Sequence, residues 1–169
     1  MQNGGWKSKR VDLTEVPIHP QLVHFPIAFL LLSFTFDLVG AVRNSDRWNQ
    51  FGGFILLLAI ISAFAALQSG ESSEEMLKPM SDSLHEAVEE HENLASTTFF
   101  FILVLGIVRG WLQLKERFNS WPRWVYVILI GAGVFMILRV GNLGGKLVYQ
   151  HGAGVNKNVL VPDSLKYKK

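Results

Sequence analysis

The sequence predicts an all-α fold, an integral membrane four-helix bundle with both termini on the same side. Three observations predict it. Of the 169 residues 49% are apolar, and mean hydropathy is +0.25, which is unusual for a water-soluble domain of this size. The apolar residues fall into four runs of roughly 20, the length a helix needs to cross the hydrocarbon. An even number of crossings returns the chain to the face from which it started. The spans are helices rather than strands, because backbone groups in lipid must bond within their own segment.

Residues 1–16 form a polar tail of mixed charge. The apolar segment behind it is too long for a signal h-region and has no clear small-x-small exit, so it reads as a permanent span. The transmembrane domain covers 17–154. Its first span, about 22–42, carries one charge, Asp37, and the second, 51–69, carries none. The third, 93–111, holds Arg109 near its end, and the fourth, 124–145, holds Arg139. Short turns join spans one to two and three to four. An acidic extramembrane loop, 70–92, joins two to three, with helical pieces expected over 74–77 and 83–92 on either side of Pro79. Residues 155–169 read as an exposed tail.

The short turns hold Arg43, Arg47, Arg109, Lys115, Arg117 and Arg123 against Asp46 and Glu116. The long loop holds Glu71, Glu74, Glu75, Asp82, Glu86, Glu89, Glu90 and Glu92 against Lys78. The positive-inside rule, weighted to short loops, places the turns in the cytoplasm and the loop and both tails outside a bacterial cytoplasmic membrane. Basic residues in the tails, such as Lys7, Lys9 and Arg10, pull the other way. Trp48, Trp111, Trp121 and Trp124 gather at the short-turn side, as an interfacial aromatic belt does.

Composition narrows the function classes. A net charge of +2, spread over tails and turns, makes nucleic acid a poor partner, and the lipid bilayer is the expected one. With no cysteine there are no disulfides, thiolate metal sites, iron–sulfur clusters or covalent c-type haem. No nucleophile elbow or phosphate loop occurs, and His85-Glu86 is followed by Glu89 where a His-Glu-x-x-His zinc motif requires histidine. An electron-transfer or accessory role fits better than a stand-alone enzyme.

All five histidines, His19, His24, His85, His91 and His151, fall on the long-loop side. Neutral imidazole is the commonest side-chain metal ligand and a usual axial ligand of haem iron. His24 and His91 lie at matching depth at the ends of the first and third spans, which suits the two axial ligands of a haem b. The competing reading makes each an interfacial residue bonded to water or headgroups. His19, between Pro17 and Pro20, is expected in a loop. His85 and His91 are six positions apart, about 120° around a helix, so they do not ligate one iron together. With His151, His85 forms a second pair or an outer-shell partner. His85 and Glu89 share a helix face, which leaves a non-haem metal ion held by histidine and carboxylate as the alternative, against a plain solvated acidic face.

An arginine within a span usually faces the bundle interior and has a partner. Arg139 lies toward the histidine side and is a candidate for a haem propionate, or else for a lipid phosphate. Asp37 lies toward the other side and is better matched with Arg109 or the turn arginines. Gly141 and Gly145 give the small-xxx-small spacing of close helix packing.

Three stretches, Ile18 to Ala28 (IHPQLVHFPIA), His91 to Ala95 (HENLA) and Gly144 to Val155 (GGKLVYQHGAGV), resemble a bacterial four-helix membrane family catalogued as domain of unknown function 2231. The resemblance covers the chain from Pro17 to Val155. It implies a haem-b-type membrane protein with an outward-facing redox site near His24, His91 and His151. A c-type cytochrome or subunits of a respiratory or photosynthetic complex are the partners it implies. The alternative is a non-enzymatic accessory subunit of a larger membrane complex.

Overall fold

A computed structural model describes residues 18–75, 77–118 and 120–155; the expected tails over 1–16 and beyond 155 lie outside the described residues. Among the described residues there are five helices: α1 (His19–Leu22), α2 (His24–Arg43), α3 (Asp46–Glu75), α4 (Asp82–Leu114) and α5 (Ser120–Tyr149). Helix α1 is a single turn in front of α2, and together they form the first of four helical segments long and apolar enough to cross a membrane. The bundle is a closed ring. Helix α2 packs on α3 and α5, and α4 packs on α3 and α5, while the diagonal pair α2 and α4 is bridged by the Asp37 and Arg109 side chains.

The surface is inverted relative to a soluble protein. Phe25, Phe54, Phe64, Phe100, Ile107, Ile128 and Phe135 are exposed, while Ser33, Asp37, Asn49, Thr98 and Arg109 are buried. In water that arrangement would expose far more contiguous apolar surface than a monomer tolerates; in lipid it is the stable one. Hydroxyls along the spans are satisfied locally. Thr35 donates to the Leu31 carbonyl, Ser62 to Leu58, Thr97 to Asn93 and Thr98 to Leu94, so these four are not left bare in hydrocarbon. Trp111, Trp121 and Trp124 are exposed at the short-turn end, and Trp48 stacks on Phe36 there with ring centroids 5.6 Å apart.

The turn between α2 and α3 is tight because Asn44 adopts the left-handed conformation, φ 48°, which asparagine tolerates better than most residues. The amide of Ser45 then returns to the Gly40 carbonyl at 2.9 Å. At the other end the acidic stretch 70–92 is mostly helical. Helix α3 continues to Glu75 and α4 begins at Asp82, where Ser81 caps it by accepting from the Leu84 amide. Helices α3, α4 and α5 hold 30, 33 and 30 residues, about 45–50 Å at 1.5 Å per residue against a hydrocarbon core of about 30 Å. The carboxylates therefore ride on helical extensions rather than on a slack loop.

Across the middle of the bundle Leu30, Leu56, Ala59, Ile102, Leu105 and Ile130 form a dry apolar layer with one or two residues from each spanning helix. This layer separates two polar ends.

Candidate functional site

At the long-loop end the structure brings together His19 and His91. The ring centroids are 6.4 Å apart and the planes nearly perpendicular, at 89°. The α1 turn places His19 over the end of α3, where its Nδ1 lies 2.9 Å from both the Ala66 carbonyl and the Ser69 hydroxyl. With the proton on Nδ1 donated to Ala66, Nε2 is left as the free basic nitrogen. Backbone-anchored imidazoles of this kind are the usual form of a histidine that ligates a metal.

His91, on α4, packs against α5 at Gly144. A Cβ built on Gly144 would sit 3.3 Å from the His91 Cε1, and one on Gly70 would sit 3.6 Å from the His19 Cε1. The His91 imidazole thus occupies room that Gly144 leaves, whereas a methyl at Gly70 would make only ordinary contact with His19. The Nδ1 of His91 is buried without a hydrogen-bond partner.

The other predicted residues are placed differently. His24 is exposed, and so is His85 on the α4 extension; His151 is half-buried beyond the end of α5. The structure therefore pairs His91 with His19, where depth alone pairs it with His24. The reason is rotational. His19 and His24 are five residues apart, about 140° around a helix, so when one faces the bundle the other faces away. Pro20 does not make a loop; it stands in the first turn of α1, where proline is favoured because that amide has no helical partner. No group of three or more His, Asp or Glu able to hold a metal ion exists among the described residues. Arg139 is exposed and lines an open groove of about 500 Å3 between α4 and α5, with Glu90, Asn93, Thr97 and Phe135 along it.

At the short-turn end the sequence match of Asp37 with Arg109 is realised. Arg109 donates from Nη1 to Asp37 Oδ2 at 2.6 Å and from Nη2 to the Asn49 carbonyl; the two charged side chains are 2% and 0% exposed. The guanidinium carbon lies 4.6 Å from the Phe118 ring centroid and 4.8 Å from that of Tyr126, so two aromatic rings cover it. Ser33 donates to the Gly52 carbonyl nearby. One layer outward, Arg123 donates to Asp46 Oδ1 at 2.6 Å, to Asn44 Oδ1 at 3.0 Å and to the Phe118 carbonyl at 3.2 Å.

Sequence reasoning missed Asn49, which looks like a turn residue but is buried in the first turns of α3. The signal available was its position three residues before the Gly52-Gly53 pair. Those glycines, with Gly40, give the polar side chains their space. A Cβ at Gly52 would be 2.8 Å from Asp37 Cγ, one at Gly53 2.8 Å from Arg109 Nε, and one at Gly40 2.7 Å from Asn49 Cγ.

A family model described as predicted membrane protein, DUF2231, matches residues 15–157. The chain belongs to this family. The DUF2231 match takes in every spanning helix, the His19–His91 pair and the Asp37–Arg109 pair, so both polar ends lie inside the family domain. No curated protein and no solved structure matches the chain.

Proposed function

We propose that this DUF2231 protein binds a b-type haem between His19 and His91 and carries electrons between the membrane and a redox partner at the histidine face. The observation that carries the reading is the separation of the two rings. Two imidazoles on opposite sides of one metal, each bonded at about 2 Å, have ring centres roughly 6 Å apart, and the observed centroids are 6.4 Å apart. A bare ion wants more protein ligands than two. His19 and His91 would be enough to hold a haem, whose iron takes two further ligands from the protein.

The residues fit that group. The Ala66 carbonyl accepts from His19 Nδ1, which leaves Nε2 for a metal, and the Nδ1 of His91 is buried without a hydrogen-bond partner. Bound there, haem supplies a one-electron couple. The chain's own residues would hold the group through the two imidazoles, and Arg139, at the same end, would offer a cation for a propionate. The basic short turns support a cytoplasmic position for the other end, so the histidine face is the extracytoplasmic one in this reading.

The test is a reduced-minus-oxidised optical spectrum of protein expressed with ample haem and purified in mild detergent. A Soret band and a reduced α-band are expected. His19→Ala and His91→Ala should abolish or shift them, whereas His24→Ala and His85→Ala should leave them in place. Absence of the band, with no haem by extraction, would sink the proposal.

A second reading, an accessory subunit of a larger membrane complex, draws on α5. A Cβ at Gly145 meets nothing within 4 Å and one at Gly141 only Ile27 Cδ1, so this small-xxx-small face has room for a helix from another subunit. Co-purifying subunits with no cofactor absorbance would favour it.

A further inference from the structure

The open groove of about 500 Å3 along the seam of α4 and α5 has a depth in the membrane that residue spacing gives, at 1.5 Å per helical residue from the central apolar layer. Thr97 is five residues from Ile102, and Phe135 five from Ile130, so the deep end lies about 7 Å from that layer. Asn93 and Arg139, nine residues out on their helices, are about 13 Å from it, and Glu90 is about 18 Å from it. With the layer at mid-membrane, the hydrocarbon ends about 15 Å away. The groove therefore crosses the boundary between acyl chains and headgroups, apolar at Phe135 and charged at Arg139 and Glu90.

Two opposite charges line this groove without meeting. Among the described residues the ion pairs are Lys78–Glu74, Arg109–Asp37 and Arg123–Asp46, so neither Arg139 nor Glu90 has a charged partner there. Both are exposed. A guanidinium at the edge of hydrocarbon is costly unless it is paired or reaches the interface. Arg109 is paired and covered by two rings; Arg139 is presented to the lipid instead.

The two charges select the guest. A neutral ring such as a quinone matches neither. A fatty acid, or a phospholipid with a glycerol head, matches Arg139 and leaves the Glu90 carboxylate unmatched. A choline head is cationic but has no N–H to donate. An ethanolamine head meets both: its phosphate oxygens accept from the guanidinium fork, and its ammonium donates to the carboxylate. The order along the groove agrees, with the arginine on the acyl side of the glutamate. We propose that the α4–α5 groove binds one zwitterionic phospholipid with a primary-amine head, its phosphate on Arg139, its ammonium on Glu90 and an acyl chain along Phe135. A guanidinium has five donors, so a phosphate held by two of them leaves others for the propionate of the haem reading, on which this site does not depend.

Native mass spectrometry of the full chain, delipidated in mild detergent and titrated with synthetic dioleoyl phospholipids, tests it. The three probes share their acyl chains and differ in the head: ethanolamine, choline or glycerol. The wild type is expected to bind one ethanolamine lipid roughly tenfold more tightly than either of the others, as one added charge-assisted hydrogen bond would give. Glu90→Gln should abolish the preference over choline, and Arg139→Gln should weaken the binding of all three. Equal affinity for the three heads overturns the site, because it leaves only the lipid that coats any span. Tighter binding of the glycerol lipid overturns the part given to Glu90. A preference for ethanolamine that survives both substitutions places it outside the groove and overturns the assignment. The wild-type comparison relies on no variant to fold, and it reads lipid mass, so its outcome is separate from that of the haem spectrum.

Discussion

Arg109→Leu is expected to destabilise the bundle by about 3–5 kcal/mol, the usual cost of stranding one member of a buried ion pair. The carboxylate of Asp37 is fully buried and takes its only hydrogen bond among the described residues from Arg109. Removing the guanidinium leaves a charge at a depth where hydrocarbon, not water, surrounds the helix. Removing the charge as well, in an Asp37→Leu and Arg109→Leu double variant, should recover most of the loss. Replacing a buried pair outright by apolar groups is often neutral. Unfolding by SDS titration in mixed micelles measures both. If the double variant is as unstable as the single one, then the cost lies in lost packing beneath Phe118 and Tyr126 rather than in the stranded charge.

Gly40→Ala is expected to cost about 1–3 kcal/mol in the same assay, as overpacking of a closely fitted site does. The added methyl would meet not only the Asn49 side chain but also its backbone nitrogen at 3.0 Å. A side chain can rotate away; a backbone nitrogen moves only if α2 and α3 separate. Gly52→Ala should lose a similar amount, because its methyl meets an Asp37 carboxylate that Arg109 holds in place. Gly145→Ala is the control. Its methyl meets nothing within 4 Å, so the better helix propensity of alanine should leave stability unchanged or raise it by up to about 1 kcal/mol. Equal losses at Gly40 and Gly145 would show that the close approach of α2 and α3 does not limit stability.

The features legible in the sequence are those that lipid enforces. Four apolar runs of span length can only be helices in a bilayer, and the structure has four such helices among the described residues. The Asp37–Arg109 pair was legible for the same reason: a charge inside a span needs a partner at its own depth, and the chain order sets depth. What depth does not set is rotation. His24 and His91 match in depth, yet the bundle turns His19 inward and His24 outward, because Pro20 starts a helical turn where proline suggested a loop. The acidic stretch was half legible. Its breaker-free segments read as helix, but that α3 and α4 run on into them depends on packing beyond the membrane surface. Asn49 was not legible at all, since its role follows from glycines on two facing helices, and facing is a tertiary fact.

The Asp37–Arg109 pair also sets the order in which the protein can be made. The two residues are separated by 72 positions. At a synthesis rate of 5–20 residues per second, roughly 4–15 s pass between the emergence of one and the other. Through that interval the first hairpin, α2 with α3, carries Asp37 without the arginine that pairs with it in the folded bundle. The third span is thus the step that commits the nascent chain, and a product truncated before Arg109 should be cleared by membrane proteases faster than one truncated after it.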